Sequence, residues 1–414
     1  MSIIEPKNSS TRPLRWVVFC AAIDNFGDIG VCWRLLRQLY EETGAQVELW
    51  VDDWDALAWF LRPLTFSGAS GAICAGVNLH HWQNEPLFDT GVARRIASAD
   101  VVIEAFACDI PQAVVAAMRN SENPALWLNL EYLSAQPWVR DCHLLPSMQG
   151  GAQGRALNKY FFFPGFGEGT GGLLCEHDLL QRHANWQEDI AAGRRQLLAS
   201  YPQLHALLSL PELLVLSMFT YDGIALRSVI GALIESDLAS LCFVPEGRSL
   251  RDIALCFDMS ELPLPGSVLQ RGSLTVCVLP FMAQQEYDHL LSLCDFNFVR
   301  GEDSFVRAQF AARPLLWHLY PQSEEAHLEK LEAFLDLYCS DSAEEGALKA
   351  FWRGWNQGED CRELWHYLRP QLPSLQIQAR RWQQQLAEKP DLVANLLAFY
   401  HAKRESKPLG SDCS

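Results

Sequence analysis

Positive charge is what this chain has least of: 33 lysines and arginines stand against 50 aspartates and glutamates, a formal net charge of −17. Such a field repels phosphate backbones and anionic lipid, so no nucleic-acid or membrane partner is expected. No apolar run approaches the roughly 20 residues of a transmembrane helix, and WVVFCAAI (16–23) has only the length of a buried strand. The amino-terminal MSIIEPKNSSTRPLRW lacks an apolar h-region ahead of that strand, so no signal peptide is expected. The 13 cysteines never form C-x-x-C. They fall in apolar runs such as VVFCAA, SLCFV and TVCVL, where a thiol packs as a small hydrophobe, which argues against structural zinc and for a reducing cytoplasmic compartment. G-x-S-x-G and G-x-x-x-x-G-K-S/T are also missing, which removes the α/β-hydrolase and P-loop classes.

What remains is a globular composition, 49% hydrophobic and 20% charged, over 414 residues, enough for two domains. LRWVVFCAAI, VCWRLLRQLYEE, QVELWV, DWDALAWFL, ADVVIEAF, PQAVVAAMR and ALWLNLEYL alternate buried-strand runs with helical periodicity, the pattern of βαβ units on a parallel sheet. The glycine-rich PGFGEGTGG (164–172) punctuates the chain, and a second alternation follows through ELLVLSMF, SLCFVP, SLTVCVLP, DFNFV and RPLLWHLY. This predicts a first Rossmann-like domain over 1–165, completed by the terminal helix 390–405, and a second over 173–389. Open α/β sheets bind ligands at the carboxyl ends of their strands, so an interdomain cleft would be lined by the loops after 16–23, 213–218, 274–280 and 296–299.

Those loops hold the candidate chemistry. Asp24, Asn25, Phe26, Gly27 and Asp28 place two carboxylates around a tight turn; one can act as general base and the other as its orienter, or both can hold a cationic substrate, or Asp28 is simply an N-cap. Arg300, Gly301, Glu302, Asp303 and Ser304 precede a helix whose free amides suit a phosphate, Arg300 adding charge and Glu302 facing hydroxyls. The plain alternative there is a capped helix with Arg300 and Glu302 paired on the surface. In SMFTYDG, Tyr221 can reach a phosphate oxygen while Phe219 reads equally as core. Phe281 and Tyr287 could flank a base with Gln284 at its edge, or form an ordinary strand end and capped helix. Asp53-Trp54-Asp55 is a literal D-x-D, but Asp52 or Asp53 can cap the helix that follows and no companion ligand is evident, so no metal is expected.

DNFGDIGVCWRLLRQL, LWVDD, WLNLEYLSAQPWV, KYFFFPGF, SMFTYDG, VPEGR, LPFMAQQEYDHLL and NFVRGEDSFVRAQFAARPLLWHLYPQ, in that order, resemble the EarP family of protein-arginine rhamnosyltransferases acting on elongation factor P. The resemblance runs from about residue 14 to about 338. It implies a GT-B fold, two Rossmann-like domains facing a cleft, and inverting, metal-independent transfer of L-rhamnose from dTDP-β-L-rhamnose to an arginine of elongation factor P. Asp28 then matches the general base, Asp24 a second essential carboxylate, and Asn25, Phe26 and Gly27 the loop near the donor. Phe219, Tyr221, Phe281, Gln284 and Tyr287 match donor-side positions, Tyr287 standing where the family has Phe. Arg300, Glu302, Asp303 and Ser304 match the pyrophosphate and ribose loop, with Glu302 also catalytically important. A GT-B enzyme with another sugar nucleotide or acceptor, or a non-catalytic nucleotide-sugar scaffold, would carry the same loops. The helices after about 340 carry no recognisable chemistry and are expected to be structural.

Overall fold

The computed structural model describes residues 12–22, 26–64, 67, 70–83, 88–150, 156–321, 325–339 and 343–405. They divide into two compact units: Met1–Glu131, Leu144–Phe162 and Leu396–Ser414 form one, Tyr132–His143 and Phe163–Asn395 the other. The sequence boundary places Tyr132–His143 in the first domain; the structure groups this segment with the second unit, where Ser134 N donates to Pro164 O and Phe163 N to the His143 ring.

The first unit has strands β1 (Arg15–Cys20), β2 (Gln46–Val51), β3 (Ile73–Cys74), β4 (Val77–His81), β5 (Val101–Ala105), β6 (Leu126–Leu130), β7 (Pro146–Gln149) and β8 (Leu157–Phe162). They form one sheet in the order β3-β4-β2-β1-β5-β6-β8-β7, antiparallel only at β3/β4 and β7/β8. Its parallel strands, numbered along the chain, thus lie 3-2-1-4-5-6, the doubly wound order. RWVVFC is apolar without alternation because a central parallel strand is covered on both faces. From Leu396 onward the last helix, Leu392–Glu405, belongs to this unit: Phe399 packs edge-on against Tyr160, and the Tyr400 hydroxyl donates to Asp100.

The second unit holds β9 (Leu214–Met218), β10 (Ser240–Pro245), β11 (Val268–Arg271), β12 (Leu274–Leu279), β13 (Phe296–Arg300) and β14 (Leu315–His318), ordered β11-β12-β10-β9-β13-β14. Only β11/β12 is antiparallel, and the parallel strands again run 3-2-1-4-5. Under β13 and β14 lie the helices Ala343–Asn356 and Arg362–Leu368. Phe298 meets Trp355 at 5.0 Å, Phe296 meets Trp365 at 5.6 Å, and Trp352 Nε1 donates to Leu315 O. The glycine-rich segment folds back on the chain before the last helix. Gly172 adopts φ 78°, and a Cβ there would lie 2.6 Å from Pro390 O, so only glycine fits. No described helix is long and apolar enough to cross a membrane. The two doubly wound sheets agree with the expected GT-B fold class.

Candidate functional site

In a doubly wound sheet the loops leave neighbouring strands in opposite directions at the first and fourth parallel strands, which opens a crevice at their carboxyl ends. In the second unit these strands are β9 and β13, with Phe298 in register with Met218. Their loops contain the candidates Phe219, Tyr221 and Arg300 to Ser304. The Arg300 guanidinium sits 4.5 Å from the Phe219 ring centroid and 4.7 Å from that of Tyr221, a cation held over two π-faces. Phe219 in turn meets Tyr287 edge-on at 5.8 Å. The sequence alternative of Phe219 as plain core therefore gives way to a half-buried ring that touches Arg300.

Arg300 and Glu302 do not form the surface pair considered from the sequence. Glu302 Oε1 instead takes Lys330 at 2.8 Å, and its Oε2 accepts from Leu133 N at 2.9 Å. Neither Asp303 nor Ser304 caps the helix Asp303–Phe310. Asp303 accepts from Gln284 Nε2 at 2.8 Å, tying this loop to the one after β12, and Ser304 Oγ donates to Arg300 O. Gly301, at φ 67°, makes the sharp turn between Arg300 and Glu302, and its carbonyl accepts from Trp317 Nε1 at 2.8 Å. Phe281 and Gln284 are half-buried at the carboxyl end of β12, and Glu286 accepts from Ala283 N at the start of the helix Gln284–Leu293. Among the described residues the Tyr287 hydroxyl has no hydrogen-bond partner, and burial pushes its pKa well above the ordinary phenol value.

Further residues of this crevice were not among the sequence candidates. His318, opposite Arg300 in the β13/β14 register, packs edge-on to Tyr221 at 5.0 Å. Burial, with the neighbouring Arg300 charge adding to it, pushes its pKa down to about 3, so the imidazole is neutral near pH 7. Tyr320 also meets Tyr221 edge-on, and Arg248, in the loop after β10, lies 6.0 Å from the Tyr221 centroid. The loops after SLCFVP and RPLLWHLY obey the same strand-end rule as the loops singled out from the sequence. Applying it to every strand would have found both.

In the first unit the corresponding strands are β1 and β5. Asp24 and Asn25, in the loop after β1, lie outside the described residues. The helix starts at Phe26, so Asp28 occupies its first turn rather than the cap position; it is 3% exposed. A carboxylate there is favoured by the helix dipole. Phe26 stacks on Trp59 at 4.2 Å, and Arg62 lies 3.7 Å from the same Trp59 centroid, while Gly27 is half-buried between Phe26 and Asp28. The Cys20 thiol is pushed well up, first by its hydrogen bond with Cys32 and by burial, with the nearby charges of Asp28 and Asp52 adding to it. In the D-x-D segment Asp53 caps the helix Trp54–Phe60 by accepting from Ala56 N at 2.9 Å, and Asp52 accepts from Ala22 N. Among the described residues no group of three His, Cys, Asp or Glu side chains is placed to hold a metal ion.

Residues 16–401 match the family model described as elongation factor P (EF-P) rhamnosyltransferase EarP. The chain is 47% identical over 389 residues to the protein-arginine rhamnosyltransferase of Pseudomonas aeruginosa, covering 93% of this chain and 98% of that protein. It is 38% identical over 410 residues to the protein of the same name from Shewanella oneidensis, covering 95% and 99%. A solved structure from work on EarP-mediated arginine glycosylation of translation elongation factor EF-P matches with TM-score 0.63 at 33% identity, over 94% of this chain and 99% of that one.

Proposed function

The chain belongs to the EarP family of elongation factor P rhamnosyltransferases, and from that premise we propose that it moves L-rhamnose from dTDP-β-L-rhamnose to one arginine of elongation factor P, with inversion, without a metal, in the cytoplasm. The observation that carries the donor side is Arg300, held between Phe219 and Tyr221 at the crevice of the second unit. Arg300, with Ser304 at the start of the following helix, takes the pyrophosphate. Phe281, Gln284 and Tyr287 flank the thymine, and Asp303, held by Gln284, joins base and phosphate loops. Both Glu302 oxygens already accept a hydrogen bond, yet each retains a lone pair for a ribose or sugar hydroxyl. Its lysine and backbone partners fix it for that contact.

The acceptor side needs carboxylates because a guanidinium, with a pKa above about 12, is protonated and its nitrogen lone pairs are delocalised. Asp28, with Asp24 as the second carboxylate, holds the guanidinium and localises its charge. As the nitrogen forms its bond to C1, the C1–oxygen bond to the diphosphate breaks and its electron pair leaves on the diphosphate. The nitrogen proton passes to Asp28. A carboxylate of ordinary pKa cannot deprotonate the resting guanidinium, so proton removal accompanies or follows attack. Arg300 stabilises the charge that develops on departing dTDP, the task a metal performs in other transferases.

Intact-mass spectrometry of elongation factor P, incubated with this protein and dTDP-β-L-rhamnose in the presence of EDTA, tests the proposal. The expected result is a gain of about 146 Da, one deoxyhexose, a covalent change of the kind that alters a protein's chemistry. Equal turnover of dTDP-glucose would overturn the donor assignment, and a gain seen only without EDTA would overturn metal independence. Binding of dTDP with no transfer would support a scaffold instead.

A further inference from the structure

Arg248 has no role in the assignments above. It lies in the loop after β10, the strand next to β9, at the same carboxyl edge of the sheet. That loop touches the donor crevice: a Cβ on Gly247 would lie 3.6 Å from Phe219 Cε2 and 3.9 Å from Arg300 Nη2. The Arg248 guanidinium carbon is 6.0 Å from the Tyr221 centroid, where that of Arg300 is 4.7 Å away. Two cations are thus gathered around one phenol ring.

The charge setting gives this meaning. In a chain of net charge −17, Arg248 is exposed yet forms no salt bridge with any described residue. Two guanidiniums at one ring suit an anion with several oxygens.

We propose that Arg248 is the second guanidinium of the donor site, acting with Arg300 on the two phosphates of the nucleoside diphosphate. The assignment rests on the sugar-nucleotide reading of this crevice. One guanidinium is matched to one phosphate, and the departing diphosphate gains a further negative charge when the C1–oxygen bond breaks. A second cation at the same ring meets that added charge without a metal.

Calorimetric titration of the full chain with dTDP and, separately, with thymidine tests Arg248. R248M is expected to weaken dTDP about tenfold or more, the loss of one charge-assisted contact, and to leave thymidine within about twofold. R248K, which keeps the charge but not the planar fork, is expected to fall between R248M and the unaltered protein. R251M removes an equal charge from an exposed position on the following helix, and it should leave both ligands within about twofold. Unchanged dTDP affinity in R248M, or an equal loss of thymidine, would overturn the assignment. A parallel loss in R251M would also overturn it, by reducing the effect to net charge. If R248M unfolds early in a thermal melt, R248K decides by the same criteria. Absence of dTDP binding by the unaltered protein would overturn the donor reading itself, a result distinct from binding that ignores Arg248.

Discussion

In both units the parallel strands include the order 3-2-1-4-5, and in both the candidate chemistry follows the first strand; the charged groups set against the rings there differ. After β1 the first unit has Asp28 with Asp52 nearby, both lowering the acidity of the Cys20 thiol. After β9 and β13 the second unit has Arg300 against two aromatic rings, with Arg248 close by. The fold thus sets where a crevice opens, and the loop residues set what chemistry it offers. A buried carboxylate in a first helical turn suits a cationic acceptor; an arginine set against two aromatic rings suits a nucleoside diphosphate.

The largest expected effect separates these roles. D28N should lower transfer by about a thousandfold, the scale of a lost general base, while dTDP affinity stays within about twofold. Intact-mass kinetics and titration read the two quantities. Near-normal transfer with the fold intact would remove Asp28 as base, and a large loss of dTDP affinity would break the division of labour between the units.

A second difference is in bracing. The second unit buries Phe351, Trp352, Trp355 and Trp365 under β13 and β14, and Trp355 meets His318 edge-on at 5.7 Å. The helices after residue 340 thus support the strands whose ends carry Arg300 and His318. W352A should cost about 3–5 kcal/mol of unfolding free energy in denaturant titration, a large aromatic lost from a full core. A cost under about 1 kcal/mol would show that this bracing is slack.

Acid should weaken both units, since burial also lowers the pKa of His80 in the first. In the second unit burial depresses His143 to about 4, and His183 and His318 each to about 3, against an unfolded value of 6.5. Protons then bind the unfolded chain first, so stability is fully present above about pH 6.5 and falls as pH drops from there toward 3. The slope is up to about 1.4 kcal/mol per pH unit for each histidine. Denaturant midpoints between pH 7.5 and 4.5 measure this, and H318Q should flatten the fall. An unchanged slope in H318Q would mean that His318 titrates normally.

The smallest effect concerns encounter. If acidic loops attract a cationic arginine loop, affinity for elongation factor P should weaken severalfold between about 0.05 and 0.3 M salt. Salt-independent affinity would show that local charge does not guide the acceptor.

The amino-acid sequence by itself determined the alternating strand and helix pattern, the two Rossmann-like sheets, the family, and the strand-end loops after β1, β9, β12 and β13. Those features are local: buried parallel strands read as unbroken apolar runs, and motifs keep their spacing. The tertiary structure alone decided that Tyr132–His143 join the second unit, that Glu302 pairs with Lys330 and not with Arg300, and that Arg248, His318 and Tyr320 gather around Tyr221. Each of these contacts joins residues far apart in sequence through strand order and register. Strand order is fixed by which crossovers bury the most apolar surface, a property of the whole sheet that no single segment encodes.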